Sequence, residues 1–229
     1  MSLVLTRRPL RTLAAGLAVV LPRRLRRFVH TRLLGYELAP TASIGHSFID
    51  VDRLVLGERA RIGHLVVMRG CERVVLGTGA VVLMLVWVNS VRRSTGYFAG
   101  LEGRRPELVM GDHSMISALH LIDACDLVEL GDYAAIAGFG SIVQTHAVDV
   151  DNMVQDARPI RLGEYAMVAT HCLLLPGAVV PARSIVAAGS TVTKALPAEH
   201  QVYAGAPARP ARALDPAMPF LHRTTSEIA

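Results

Sequence analysis

The chain of 229 residues is 52% hydrophobic but only 5% aromatic, which suits one elongated domain with a narrow aliphatic core and argues against an aromatic-rich sandwich. A formal net charge of +5 and a pI near 9.6 tolerate an acidic partner, but no groove-reading motif or aromatic ladder accompanies the charge, so nucleic-acid binding is not expected. Cys71, Cys125 and Cys172 stand far apart without a CxxC pair, which indicates neither a disulfide framework nor a zinc knuckle and favours a reducing cytoplasm.

Arginines crowd the first 32 residues. Residues 12–22 form an apolar run about half the length of a bilayer span, with no small-x-small cleavage site before Pro22 and Arg23, so neither a membrane-spanning helix nor a secretory signal is expected. The following LPRRLRRFVHTRLLGYEL predicts a helix with Pro22 near its first turn, Leu25, Phe28, Val29 and Leu33 on one stripe, and arginines opposite. Residues 1–37 thus form a basic amphipathic segment whose stripe packs on the chain, on a neighbouring subunit or on a membrane surface.

Beyond it a period of six emerges: an aliphatic residue followed by Gly, Ala or a short polar residue, with a small residue four places on. Fragments begin at Ile44, Leu56, Ile62 and Leu76. After a break near 88–107 the phase returns at Met110, Ile116 and Ile122, then at Leu130, Ile136 and Ile142 in LGDYAA, IAGFGS and IVQTHA. A second break covers 147–161, and from Leu162 the pattern runs unbroken through Val168, Leu174, Val180, Val186 and Val192. Period six is neither strand alternation nor a helical stripe, so it reads as short strands joined by tight corners. Three such steps close a coil of about eighteen residues, and stacked coils pair as parallel strands about 4.8 Å apart.

Both breaks predict loops thrown out from this scaffold and are the first candidates for acceptor recognition; the earlier one equally reads as a tolerated insertion. His146 ends a regular step directly before the second loop, which carries Asp149, Asp151, Asn152 and Gln155. A lone histidine is usually structural, but an imidazole with an ordinary pKa near 6.5 is also well suited to take a proton from an attacking alcohol.

The ladder, together with AGSTVTKALP and the YAGAPARPAR that follows it, resembles the hexapeptide-repeat acyltransferases over about residues 38–212. Through QTH before a loop, the chain is most similar to the polysaccharide-cluster O-acetyltransferases. The resemblance implies an all-β fold, a left-handed parallel β-helix over 38–197, an exception to the right-handed crossover preference, followed by a short C-terminal tail over 198–229. It implies a homotrimer with a coenzyme A cleft between subunits, acetyl-CoA as co-substrate without a metal, and a hydroxyl of a sugar or polysaccharide precursor as acceptor. His146 is then the general base, with Asp149, Asn152 and Gln155 toward the acceptor. Thr170, Ala188 and Thr193 match the track of the pantetheine arm, and Lys194, Arg209 and Arg212 match cations near the nucleotide phosphates. The enzyme would be cytoplasmic, peripheral to the inner face of the membrane.

Two departures stand out. Counted from Leu130, His146 falls one place earlier than in the maltose and galactoside acetyltransferases, which predicts a local bulge. Met167 stands where several relatives carry Trp. A catalytically silent β-helix scaffold is the alternative, against which His146, Lys194 and the APAR tail argue together. A zinc protein similar to the gamma-type carbonic anhydrases would need a His-x4-His pair and a third histidine. His113 and His120 are seven apart and His171 precedes CLLLP, so these read as structural.

Overall fold

The computed structural model describes residues 4–98 and 100–225. Aliphatic runs of two to four residues are too short for a conventional sheet, and each forms one side of a triangular coil. The coils stack into a left-handed β-helix with three faces of seven, nine and seven strands, parallel except for the final strand of the nine-stranded face. Facing residues repeat down each ladder, as in Leu56↔Leu76 and Ile136↔Val168, so every coil buries its aliphatic side chain against an identical position of the next. Small buried residues sit two places before these, including Ala60, Ala80, Ala134, Ala166 and Ser184. The corners admit little more: a Cβ added at Gly63 would lie 1.8 Å from the Leu83 carbonyl oxygen.

One step of the predicted phase is off by a residue. Val143 pairs with Ile122 and is fully buried, whereas Ile142 is 40% exposed. The corner between Ile136 and Val143 holds an extra residue, accommodated by Gly138 and Gly140, both at positive φ.

The two breaks differ. Residues 90–106 leave the coil as a loop with one 3₁₀ turn, Arg93–Thr95, whereas the second folds into an antiparallel hairpin of His146–Asp149 with Val154–Ala157. Past the last coil, Gln201–Ala204 adds in parallel to Ile185–Val186 and pairs antiparallel with Arg209–Ala213, so the APAR segment is an edge strand. Tyr133 and Tyr165 stack with ring centroids 4.7 Å apart, and the Arg223 guanidinium packs over both rings, holding the tail against the scaffold.

At the other end two helices, α1 (Arg8–Val20) and α2 (Arg23–Phe28), the latter running into a π-helical turn at Val29–Leu33, close the core. Here the predicted orientation is reversed in part. Leu25 and Phe28 are exposed, Val29 is buried, and Arg26 is buried on the inner side. The reason lies in the first coil, whose outer edge has no strand to pair its carbonyls. Arg27 donates to the carbonyl oxygens of Leu38, Ala39 and Ala42 at 3.0–3.1 Å. Arg11, buried in α1, donates to those of Leu34 and Val51 at 3.0 and 3.1 Å. Guanidinium donors take the place of a missing strand.

Candidate active site

Asp123 closes the strand Leu121–Asp123, and its register partner one coil on is Gln144. His146 leaves that next coil just beyond Gln144, so its imidazole meets the Asp123 carboxylate. The Nδ1 nitrogen bonds Asp123 Oδ2, and the His146 backbone N–H donates to the same oxygen at 3.2 Å. Asp123 Oδ1 accepts from the Cys125 backbone N–H at 2.9 Å. A carboxylate at Nδ1 holds the proton there and leaves the Nε2 lone pair as the free base. The His146 side chain is 36% exposed and that of Asp123 16%, so the imidazole is open to solvent and its partner is screened.

The backbone beneath is stapled. Thr145, fully buried, donates its hydroxyl to the Asp123 carbonyl and accepts from the Asp126 N–H, both at 3.0 Å. Gln144 Nε2 donates to the His146 carbonyl at 2.9 Å. From the 90–106 loop, buried Phe98 presents itself edge to face to the imidazole at 6.1 Å between centroids. The buried Arg104 guanidinium lies 4.4 Å from the centre of the Phe98 ring and donates to the Cys125 carbonyl at 2.9 Å. The earlier break is therefore packed against the histidine.

Between this loop and the hairpin lies an open groove of about 440 Å³ lined by Tyr97, Val148, Val150, Met153, Val154 and Gln155. Gln155 Nε2 donates to the Tyr97 hydroxyl at 3.2 Å. Asp149 and Asn152 face each other across the hairpin turn: Asp149 accepts from the Asn152 side chain at 2.9 Å and from the backbone N–H groups of Asp151 and Asn152 at 3.1 Å. Of the three polar residues predicted toward an acceptor, Gln155 alone lines the groove.

The residues matched to coenzyme A divide similarly. Thr193, Lys194 and Arg209 line one cleft of about 330 Å³ with Leu196 and Pro197. It lies at the end of the face that carries His146, two coils beyond Val143 through Leu174 and Val192, a distance of about 10 Å along the axis. Arg212 is outside this lining, exposed on the edge strand where it pairs with Val202. Thr170 and Ala188 sit two places beyond the paired Val168 and Val186, and the Thr170 hydroxyl donates to the Phe139 carbonyl at 2.7 Å.

The other histidines are occupied. Buried His120 accepts from the Ser141 N–H at 3.1 Å and lies 2.9 Å from the Ser117 hydroxyl, its pKa lowered by burial. His113 stacks on Tyr133 and His171 meets Phe139 edge to face. Among the described residues, Asp123, Cys125 and His146 bring three donor atoms within 4.8 Å of one another. Burial and the adjacent Asp123 raise the Cys125 pKa.

Asp123, Phe98 and Arg104 were not legible as site residues. Asp123 holds the same place in LID as Gln144 does in IVQ, and stacking those triplets would have found it.

No family model and no curated protein matches the sequence. Solved structures do match in fold. AntD, an N-acyltransferase from Bacillus cereus, seen with dTDP-4-amino-4,6-dideoxyglucose and coenzyme A, superposes with a TM-score of 0.52 at 15% identity, over 79% of this chain and 84% of that one. The polysialic acid O-acetyltransferase OatWY gives 0.55 at 11% identity, over 78% and 84%. The chain therefore has the left-handed β-helix fold seen in hexapeptide-repeat acyltransferases.

Proposed function

We propose that the protein is an acyltransferase that moves an acetyl group from acetyl-CoA to a hydroxyl of a sugar or polysaccharide precursor, with His146 as general base. The observation that carries this reading is the Asp123–His146 dyad, which stands at the base of the hairpin whose residues, with Tyr97, line an open groove. As the acceptor oxygen attacks the thioester, Nε2 takes its proton and Asp123 stabilises the imidazolium formed. The tetrahedral intermediate then expels coenzyme A thiolate, which recovers that proton from His146. Acetyl-CoA would run from this point along Thr170, Ala188 and Thr193, with its phosphates toward Lys194, Arg209 and Arg212, which Arg meets bidentately and Lys as a point charge. Both similar structures named above are acyltransferases, one an N-acyltransferase seen with a nucleotide amino sugar and coenzyme A and the other an O-acetyltransferase of polysialic acid, which supports a sugar acceptor; an amine in place of the hydroxyl would be served by the same base.

A homotrimer fits this reading. Trp87, Leu121 and Ile142 are in register and half exposed on one face, an apolar ladder suited to a neighbouring subunit that would wall the cleft. The reading places the enzyme in the cytoplasm, in peripheral contact with the inner face of the membrane through its N-terminal helices. Thiol release from acetyl-CoA across a panel of sugar and polysaccharide acceptors tests the activity. Acceptor-dependent release that is lost in His146→Ala is expected; no release with any acceptor, together with no binding of acetyl-CoA, would overturn it.

A further inference from the structure

The helical cap inverts the usual amphipathic arrangement. Along α1 the inward positions are Arg11, Ala14, Ala15 and Ala18, while Leu10, Leu13, Leu17 and Val20 recur at helical spacing on the outside. Leu17 is 54% and Val20 75% exposed, and Leu25 and Phe28 of α2 extend the apolar outer surface. Nothing among the described residues covers these side chains, and small alanines suffice on the inner side, where Arg11 bonds the carbonyls at the end of the core.

The surroundings define what could cover them. The first 36 residues hold eight arginines and no carboxylate side chain. Arg8, Arg11, Arg26 and Arg27 are held by groups of the scaffold, which leaves Arg7, Arg23, Arg24 and Arg32 exposed and without ion pairs among the described residues. A second copy of this surface would bring two unpaired arginine rims together in a self-complementary contact. A surface that offers hydrocarbon and negative charge together answers both features. The 13-residue α1 is about 20 Å long, short of a bilayer core, and no helix of the described residues is long and apolar enough to cross a membrane.

We propose that the outer face of α1 and α2 docks in the plane of an anionic phospholipid bilayer, with Leu10, Leu13, Leu17, Val20, Leu25 and Phe28 inserted at the headgroup boundary and Arg7, Arg23, Arg24 and Arg32 on the lipid phosphates. This names the surface behind the peripheral contact and is independent of the reaction read at His146. It differs from the stripe expected in the sequence, since the inserted residues come mainly from α1 and half of the arginines serve the fold.

Full-length protein is sedimented with vesicles of phosphatidylcholine alone and of phosphatidylcholine with phosphatidylglycerol. The expected result is binding to the anionic vesicles, weakened by salt, with a loss of about tenfold or more in Leu13→Asp/Leu17→Asp and a smaller loss in Arg23→Glu/Arg24→Glu. Light scattering and circular dichroism accompany each variant. Wild-type protein that stays in the supernatant with anionic vesicles overturns the proposal without reference to any variant. A folded leucine variant that binds as well as wild type also overturns it. A change of oligomeric mass in that variant, with no vesicle binding by wild type, assigns the face to contact between copies of the chain. Turnover of a soluble acceptor should be unchanged in both variants, so failure of docking and failure of the acyltransferase reading are told apart.

Discussion

Asp123 and His146 are 23 residues apart in sequence and meet because they occupy adjacent coils of one face, the carboxylate of one closing on the Nδ1 of the other. The pair behaves as one unit in the proposed chemistry, since the acid orients the ring and stabilises its charged form. His146→Ala should lower turnover about 10²–10⁴-fold with acetyl-CoA affinity nearly intact. Asp123→Asn should cost about 10²-fold, and the double variant should be no worse than His146→Ala alone. His171→Ala is the control: its ring packs on Phe139, and a larger loss there than at His146 would reverse the assignment.

That pairing also shows where sequence reasoning ran out. A period of six is imposed by burial of one aliphatic residue per side of the coil, so the coils could be read directly, whereas His146 was singled out by its place before a loop and by resemblance. Which residues become neighbours depends on the length of each coil, and that length changes: Leu162 to Val180 spans a regular turn, while Ile122 to Val143 includes a widened corner. The added residues, which lie between Ile122 and Leu130 as well as at the corner of Gly138 and Gly140, hid the partner of His146. The N-terminal helices misled for another reason, because a guanidinium that bonds free carbonyls can occupy the inside of a helix where hydrophobicity alone would place leucine.

The first coil offers a test of that account. Arg27→Ala would leave the carbonyls of Leu38, Ala39 and Ala42 without their charged donor, and bonds to a charged donor are each worth about 1.5–3 kcal/mol. With water replacing part of the loss, destabilisation of about 2–4 kcal/mol is expected in denaturant titration. Arg27→Lys should recover less than half, because one ammonium cannot reach three carbonyls in two directions. A substitution to Ala that leaves the midpoint unmoved would show that solvent satisfies these groups unaided.

His30, buried beside Tyr36 with its Nε2 unpartnered among the described residues, gives a dependence of stability on pH. Burial, with a smaller contribution from Arg26, lowers its pKa from 6.5 to about 4. The unfolded chain takes up this proton near 6.5 and the folded chain only near 4, so unfolding binds a proton in that window and stability falls as pH drops through it. The loss should reach about 3 kcal/mol below the folded pKa. His30→Phe should flatten the stability profile between those limits; an unchanged profile would place the acid sensitivity elsewhere.

Assembly can be checked on the Trp87–Leu121–Ile142 ladder. The wild-type protein should scatter light as a trimer at micromolar concentration, and Leu121→Lys, which sets a charge in the middle of the ladder, should yield monomers with little thiol release. A stable monomer that turns over at the wild-type rate would remove the subunit cleft from the proposed mechanism.

The nucleotide end of acetyl-CoA can be tested at three cations. Lys194 and Arg209 share one cleft with Thr193, whereas Arg212 stands outside that lining on the edge strand. All three are exposed, so each contact with a phosphate is screened by water and modest in strength. Lys194→Ala and Arg209→Ala should therefore raise the KM for acetyl-CoA about 3- to 10-fold, with kcat and the acceptor KM little changed, as removal of uniform binding requires. Arg212→Ala should have a smaller effect of the same kind. Raising the salt concentration should weaken wild-type binding and compress the difference between wild type and variants, because the interaction removed is electrostatic. Dephospho-CoA thioester, lacking the 3′-phosphate, distinguishes the roles: a residue that contacts that group should show little further loss with this substrate. Unchanged acetyl-CoA affinity in all three variants would move the nucleotide away from this cleft, while leaving the dyad and its chemistry where they are.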